Sequence, residues 1–386
     1  MTEILLVQPP IRDFYLTAKR TIPYGLACVA ASLQREGFKR LGVLGTWDDP
    51  YASNKFAYEA NMVRALASII EGGHLDQGVK PGNWCFDCGS ALAEAEIEYR
   101  DKTSPAIDVF FSAVDKSEML AAFDIESVEG SVGIPIWTTT PWTLPANEAV
   151  ALHADFDYVL VKGVWLGQPL AIVLADDLKD AVIQRIGLEN AEVLGTCKGL
   201  ALEHQKLQHP FYEKKVPVIL GEHVTTEAGT GAVHTAPGHG EDDFIVGKPY
   251  NLPVTSPVGP DGLFLPDTEI FAGEFVWNAN DSILKLLKEK NVLLHDESFL
   301  HSYPHCWRHK TPTAFRVTPQ WFINMDKAGL RAQSLDSIKH IRWVPSWGEE
   351  RITGMIEGRP DWCISRQRTW GVPITLFVHR VSEELH

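Results

Sequence analysis

Short apolar runs separated by glycine and proline dominate the middle of the chain. Ile107–Ala113, Gly133–Thr138, Tyr158–Val164, Leu170–Leu174, Val216–Leu220 and Gly231–Thr235 are too short for helices and rich in β-branched residues, so they predict strands. Two stretches among them, Asp176–Ile186 and Asn280–Lys290, carry helical spacing instead. The expectation for residues 101–300 is a compact, β-barrel-like α+β domain. Upstream, Ile4–Val7 predicts a strand closed by Pro9 and Pro10, followed by an apolar helix over Tyr24–Arg35 that ends at Gly37. That is half of a βαβ unit. After a loop at Leu41–Tyr51, Phe56, Val63, Leu66 and Ile70 mark a helix with an ordinary core-packing stripe, capped by Ser53 or Asn54 and stopped by Gly72-Gly73. Residues 317–386 turn rich in tryptophan and arginine, with Trp321, Trp343, Trp347, Trp362 and Trp370 among Arg342, Arg351, Arg359, Arg366 and Arg368. Such pairs stack on bases or sit in plain cores.

Composition narrows the class. A length of 386 residues, 45% of them hydrophobic, suggests two or three domains that each bury a core. No apolar run approaches the ~20 residues of a membrane span, so no membrane partner is expected. The start MTEILLVQPP lacks a basic n-region and a long apolar stretch, unlike a signal peptide. A net charge of -15 argues against wholesale wrapping of nucleic acid and leaves room for a local groove. Six cysteines are too sparse for a disulfide scaffold, so a reducing, cytoplasmic compartment is expected.

Three segments carry chemistry. Cys85-x-x-Cys88 and, far downstream, Cys306-x-x-His309 supply four soft or borderline donors, the set tetrahedral Zn²⁺ prefers, and would pin two ends of an insertion together. His305 beside Cys306 leaves the ligand choice open, and reduced, metal-free thiols are the alternative. Cys28, Cys197 and Cys363 stand alone and read as buried apolar residues. The run Trp137 to Asn147, with Thr138, Thr139, Thr140 and Thr143 between prolines, predicts a strand stopping at Pro141 and a rigid hydroxyl-lined wall; a Thr-rich edge strand is the plainer reading. The run Gly229 to Asp243 places His234, His239, Asp242 and Asp243 among glycines that allow close backbone approach to a ligand. It holds no Ser or Cys nucleophile, so it suits an activated water better than a covalent intermediate.

WTTTPWTLPAN (137–147), GTGAVHTAPGHGEDD (229–243), SYPHCWRHKTP (302–312) and RPDWCISRQRTWGVP (359–373) together resemble the isoleucyl-tRNA synthetases, a class I family, of the bacterial type. KRLGVLGTWDDPY (39–51) and WCFDCGSALAEAEIEY (84–99) extend the resemblance over about 38–386 in unbroken order. Pro141-Trp142 stands where the valyl and leucyl relatives carry an Arg-Pro pattern.

The resemblance implies an α/β class I Rossmann remnant with a β-rich editing domain inserted at 101–300. Residues 38–100 would be a catalytic-domain piece with the first zinc knuckle, 301–316 the second knuckle, and 317–386 a second catalytic piece, where Arg366 and Gln367 would shape a remnant pocket. It further implies that Thr139, Thr140, Thr143 and Asn147 line an editing cleft. Asp243 would anchor the substrate's α-ammonium, with Asp242 or Glu241 as alternatives. His234 would lie near the terminal ribose and position the attacking water. The implied partner is the 3′ end of tRNA(Ile) carrying misattached valine, and the implied state a monomer. ATP belongs to the full-length family, whose H-I-G-H and K-M-S-K-S signatures are absent here; the nearest text is His74-Leu-Asp-Gln. Aminoacylation is therefore not expected of this sequence, and a non-catalytic tRNA-binding role is the alternative. Residues 1–37 fall outside the resemblance and are weakly similar to the opening of a corrinoid-binding domain, without its downstream His loop or CxxxCxxC cluster.

Overall fold

A computed structural model describes residues 4–6, 36–37, 40, 55–367 and 372–379. The helix expected at Tyr24–Arg35, the loop Leu41–Tyr51, the caps Ser53 and Asn54, and Cys28, Arg368 and Trp370 lie outside the described residues. The chain divides into two units, Met1–Gly78 with Gln320–His386, and Val79–Pro319.

In the first unit, strand Ile4–Leu6 pairs antiparallel with Phe377–His379. The helix predicted by the 56–70 stripe spans Phe56–Glu71, with Lys55 at its N-cap and no side-chain cap bond. Its stripe is a core face only at the C-terminal end: Leu66 and Ile70 pack on Leu75, Trp321 and Leu376. Phe56, in the first turn, is 90% exposed, because the apolar cluster ends before reaching it. Among the predicted tryptophans, Trp321 is buried, Trp343 donates its indole N–H to Ile338 O, and Trp347 and Trp362 are exposed.

The second unit carries the β-rich region. Its strands are β1 (Ile97–Ser112), β2 (Ser131–Thr138), β3 (Ala149–Leu152), β4 (Asp157–Trp165), β5 (Gln168–Ala175), β6 (Glu189–Lys198), β7 (Lys206–Gln208), β8 (Lys215–Leu220), β9 (Val233–Thr235) and β10 (Leu293–Cys306). They form a six-stranded sheet of order β10-β1-β2-β5-β4-β6 and a four-stranded sheet of order β7-β8-β3-β9. The barrel-like closure expected from the sequence is not what these strands build. Both sheets are open, because β10 pairs along its whole length with β1, from Leu293 opposite Val109 to Cys306 opposite Ile97, and remains an edge.

The core follows the apolar periodicities. Ile107, Val109 and Phe111 of β1 alternate inward with Ile134 and Ile136 of β2 and Ile172 and Leu174 of β5. Helix α1 (Lys179–Ile186) buries Val182 and Ile186, and helix α2 (Glu241–Gly247) follows the glycine-rich run. Helix α3 (Val276–Glu289) buries Val276, Ala279, Ile283 and Leu287, one helical face. Truncating Ile283 to alanine there is expected to cost about 2–5 kcal/mol. One charged pair crosses this packing. Asp108, fully buried in the mid-β1 apolar run, takes two 2.8 Å bonds from Nε and Nη2 of Arg185 in the last turn of α1. The same Nη2 donates to Gly229 O at 3.1 Å, which fixes the start of the glycine-rich run.

Candidate functional site

Strand β2 ends at Thr138, three residues before Pro141. Pro141 then opens a 3₁₀ turn over Pro141–Ala146, where its missing N–H is no loss. The turn is tied to α3 by a 3.1 Å bond from Trp142 N to Asn280 Oδ1. Within the bend, Thr140 N donates to Thr138 Oγ1 at 3.1 Å, and Thr143 Oγ1 donates to Thr140 O at 2.8 Å. Three hydroxyls thus gather on one side, with Thr138 and Thr140 oxygens 3.2 Å apart and Thr140 and Thr143 oxygens 3.4 Å apart.

His234, on β9, faces this wall. Thr143 Oγ1 lies 2.8 Å from its Nε2, and Asn147 Nδ2 lies 2.8 Å from its Nδ1. The same Asn147 amide nitrogen donates to Ala149 O at 2.8 Å, which fixes the amide orientation. Nδ1 of His234 therefore accepts, Nε2–H donates to Thr143, and the Thr143 hydroxyl donates in turn to the Thr140 carbonyl. Burial, reinforced by His209 and His239, pushes the His234 pKa down to about 3, so the ring is neutral. Both of its nitrogens are used within the protein, which suits positioning better than proton abstraction.

Asp243 sits in the first turn of α2. Its Oδ2 accepts from Ala236 N at 2.9 Å, and Oδ1 has no donor among the described residues. Burial raises its pKa above the ordinary carboxylate value, against the Ala236 N–H and His223, which lower it. Its neighbours Glu241 and Asp242 are exposed. Two glycines make this geometry possible. A Cβ at Gly240 would lie 2.7 Å from Asp243 Oδ2, and one at Gly238 would fall 1.7 Å from Thr255 O.

Trp137, Thr138, Thr140, Thr143, Val233, His234, His239 and Asp243 enclose a cavity of about 190 Å³. That is below the ~300–1,000 Å³ of pockets for drug-sized ligands and suits the end of a small molecule. Of the residues expected from sequence, Thr140, Thr143, His234 and Asp243 line it. Asn147 is fully buried behind His234, with its backbone oxygen held by Lys214 Nζ at 2.8 Å, while Lys214 pairs with Glu148 at 2.6 Å. Thr139 is half-buried and does not line the cavity.

His239 is a wall residue that the sequence leaves without a role. Its Nδ1–H donates to Phe315 O at 2.8 Å, so Nε2 carries the lone pair, and that buried atom has no partner among the described residues. Burial, opposed by the Phe315 carbonyl and aided by Arg316, lowers its pKa to about 4. The result is a hydroxyl-rich pocket with neutral histidines, one acceptor nitrogen and one carboxylate placed to take a cation.

The four metal-type donors also meet. Cys85 Sγ, Cys88 Sγ, Cys306 Sγ and His309 Nδ1 all lie within 4.8 Å of one another. Individual separations are 3.7 Å for Cys85–His309, 3.2 Å for Cys88–His309, 3.8 Å for Cys88–Cys306 and 3.8 Å for Cys306–His309. A tetrahedral Zn²⁺ with bonds of about 2.3 Å to sulfur and about 2.0–2.1 Å to nitrogen would hold its ligands about 3.6–3.8 Å apart. The donor set is compatible with zinc. His305 is not among the four donors that converge, and its Nδ1 lies 2.8 Å from Tyr303 O. Cys197, half-buried, has its thiol pKa pushed up to about 12 by burial and then by Asp157, as an inert packing residue would.

The family model for tRNA synthetases class I (I, L, M and V) matches residues 25–386, so residues 25–37, expected to lie outside the resemblance, fall within it. The isoleucine--tRNA ligase of Aliivibrio fischeri (strain MJ11) is 59% identical over 358 residues, and that of Shewanella oneidensis 60% identical over 353 residues. Each alignment covers 92% of this chain and 38% of the relative, so the chain spans about two fifths of the length of the curated relatives it matches. Among solved structures, the GlLeuRS-CP1 crystal structure aligns with a TM-score of 0.40 at 13% identity, covering 49% of this chain and 97% of that one. The Plasmodium knowlesi cytosolic leucyl-tRNA synthetase editing domain aligns with a TM-score of 0.39 at 10% identity, covering 52% and 97%. On the extent of the family match, the chain belongs to the class I tRNA synthetases of the isoleucine, leucine, methionine and valine group.

Proposed function

We propose that this chain hydrolyses the ester of valyl-tRNA(Ile), the editing reaction of an isoleucine-specific synthetase. The observation that carries the reading is the cavity itself: a threonine wall fixed by His234, with the Asp243 carboxylate opposite and little room beyond. A missing methylene is worth only about 1–3 kcal/mol of discrimination, a limit for which isoleucine against valine in this family is the general illustration, so a second sieve must remove the smaller product. In the proposed pose, Asp243 Oδ1 receives the substrate's α-ammonium in a charge-assisted bond. Thr140 and Thr143 limit the side chain, Thr139 and Asn147 brace the wall, and His234, beside the place taken by the terminal ribose, acts by holding Thr143 in position rather than by a bond of its own to substrate or water. His239 Nε2 is an acceptor for a hydroxyl or water proton in the same space.

The four-donor cluster takes one Zn²⁺ in a closed structural role, tying residues 85–88 to 306–309. Residues 101–300 serve as the editing insertion, and 38–100, 301–316 and 317–386 as its knuckles and catalytic-domain flanks. Isoleucine-dependent exchange of pyrophosphate into ATP is expected to stay at the level of a no-enzyme blank. The decisive experiment follows deacylation of valyl-tRNA(Ile) and isoleucyl-tRNA(Ile) by the purified chain, with Thr140→Ala alongside. Wild type should release valine alone, and the variant should release both amino acids. Binding of tRNA without release of valine would replace this reading with a non-catalytic tRNA-binding one.

A further inference from the structure

Strand β10 carries Phe299, His301 and Tyr303 at alternate positions, so all three project from one face of the sheet. Their rings follow one another at 5.7 and 5.5 Å, and Phe299 meets Trp137 edge to face at 5.6 Å. Trp137 is itself part of the cavity wall. The ladder therefore begins in the pocket and leads away from it along the sheet edge. Phe299 is 37% exposed and His301 half-buried, so both offer ring surface to solvent.

The register places Lys102 of β1 directly opposite His301. Its ammonium lies 4.4 Å from the Trp277 ring centre and 4.2 Å from that of Tyr303. No carboxylate pairs with it among the described residues, and burial alone lowers its pKa. A half-buried cation without a counter-ion, held in place by two rings, calls for an anion from outside. Stacking surfaces in a row beside such a cation match a single strand of nucleic acid, whose bases stack while its phosphates seek positive charge.

We propose that Trp137, Phe299 and His301 form a stacking track for the unpaired nucleotides next to the terminal adenosine of the RNA substrate, and that Lys102 holds one of their phosphates. This rests on the editing reading, since it takes the aminoacyl end of the RNA to occupy the cavity. The net charge of -15 does not oppose it, because the track needs one local cation and gains the rest from stacking.

The test uses the full chain and two probes: a fluorescent single-stranded RNA ending in CCA, and the valyl ester of adenosine, which engages the pocket and lacks the nucleotides that would reach Phe299 and Lys102. Phe299→Ala and Lys102→Gln should each weaken RNA binding about tenfold, with Phe299→Trp restoring it. Lys102→Gln should also reduce the salt slope by about one phosphate contact. On valyl-tRNA both should raise KM about tenfold at unchanged kcat, while hydrolysis of valyl-adenosine stays at the wild-type rate. Unchanged RNA affinity in both variants overturns the track. So does an equal loss on the small ester, which would make the strip a support of the pocket. If wild type cleaves neither ester, the editing reading falls, and the RNA-binding comparison still decides the track.

Discussion

Thr143 and His234, 91 positions apart in sequence, share a 2.8 Å hydrogen bond that sets the protonation pattern of the pocket. Asn147 holds the other ring nitrogen at 2.8 Å, so the imidazole is locked between an amide donor and a hydroxyl acceptor. The lock makes the threonine wall rigid, and rigidity is what a sieve for one methylene requires.

Thr143→Val should break that lock. It removes the acceptor of His234 Nε2–H and leaves a buried donor unpaired, at a cost of about 1–3 kcal/mol. Thr143→Ser keeps the hydroxyl and should stay close to wild type. Denaturant unfolding midpoints for the two variants check this, and equal midpoints would mean that the bond does not hold the wall.

Asp243→Ala should abolish deacylation, while Asp242→Ala and Glu241→Ala largely retain it, because only Asp243 of the three reaches the cavity. The carboxylate must be ionised to bind an ammonium, and burial raises its pKa above 3.8. Activity is thus present above the raised pKa and lost as pH falls through it. A pH profile of kcat/KM should show an acid limb displaced upward from the ordinary aspartate value. His234, neutral down to about pH 3, adds no limb near 6.5. Loss of activity in all three variants would move the anchor elsewhere.

The cysteine and histidine donors predict about one equivalent of zinc per chain by elemental analysis of protein purified without chelator. Cys85→Ser should bring this well below one and lower the thermal midpoint, because a structural zinc site contributes its binding energy to the fold. A wild-type value near zero would leave the cluster as four reduced, metal-free side chains.

The inner strands were legible because short, nearly continuous apolar runs survive in β2, β4, β5 and β8, each bounded by glycine, proline or charge. The first half of β1 and all of β10 were not, although Ile107–Ala113 marks the second half of β1. Residues 97–106 carry Glu98, Arg100, Asp101, Lys102 and Pro105, and 293–306 reads as a polar stretch, since most of both strands faces water beyond the core. The alternation of Phe299, His301 and Tyr303 was the available signal. Within the site, residue types pointed to the right segments but not to their bonding. His239 gains its orientation from Phe315, 76 residues away, and His234 from partners 87 and 91 away, which no local pattern encodes. Asp108 was the one misfit visible locally, a carboxylate in an apolar run, and it marks the Arg185 contact that holds Gly229.

The same burial that keeps the two pocket histidines and the core residue His209 neutral predicts an acid-sensitive fold. His209, His234 and His239 have pKa values lowered from 6.5 to about 4, 3 and 4, each chiefly by burial. Between about pH 4 and 6.5 the unfolded chain binds protons that the folded one refuses, so stability rises with pH across that window and falls as the solution is acidified. Three such groups give a slope of up to about 4 kcal/mol per pH unit, an upper bound since each pKa unit is worth about 1.4 kcal/mol. The loss should begin just below pH 6.5, earlier than protonation of ordinary carboxylates would cause. Thermal midpoints at pH 7.0, 6.0 and 5.0 measure it. His209→Gln should flatten the slope by about one third, because it removes one of the three protons while an amide can still meet the Leu144 carbonyl now bonded to His209 Nε2 at 3.0 Å. A midpoint that stays level down to pH 5 would show that these rings accept protons in the folded state, and that the pocket is wetter than its packing implies.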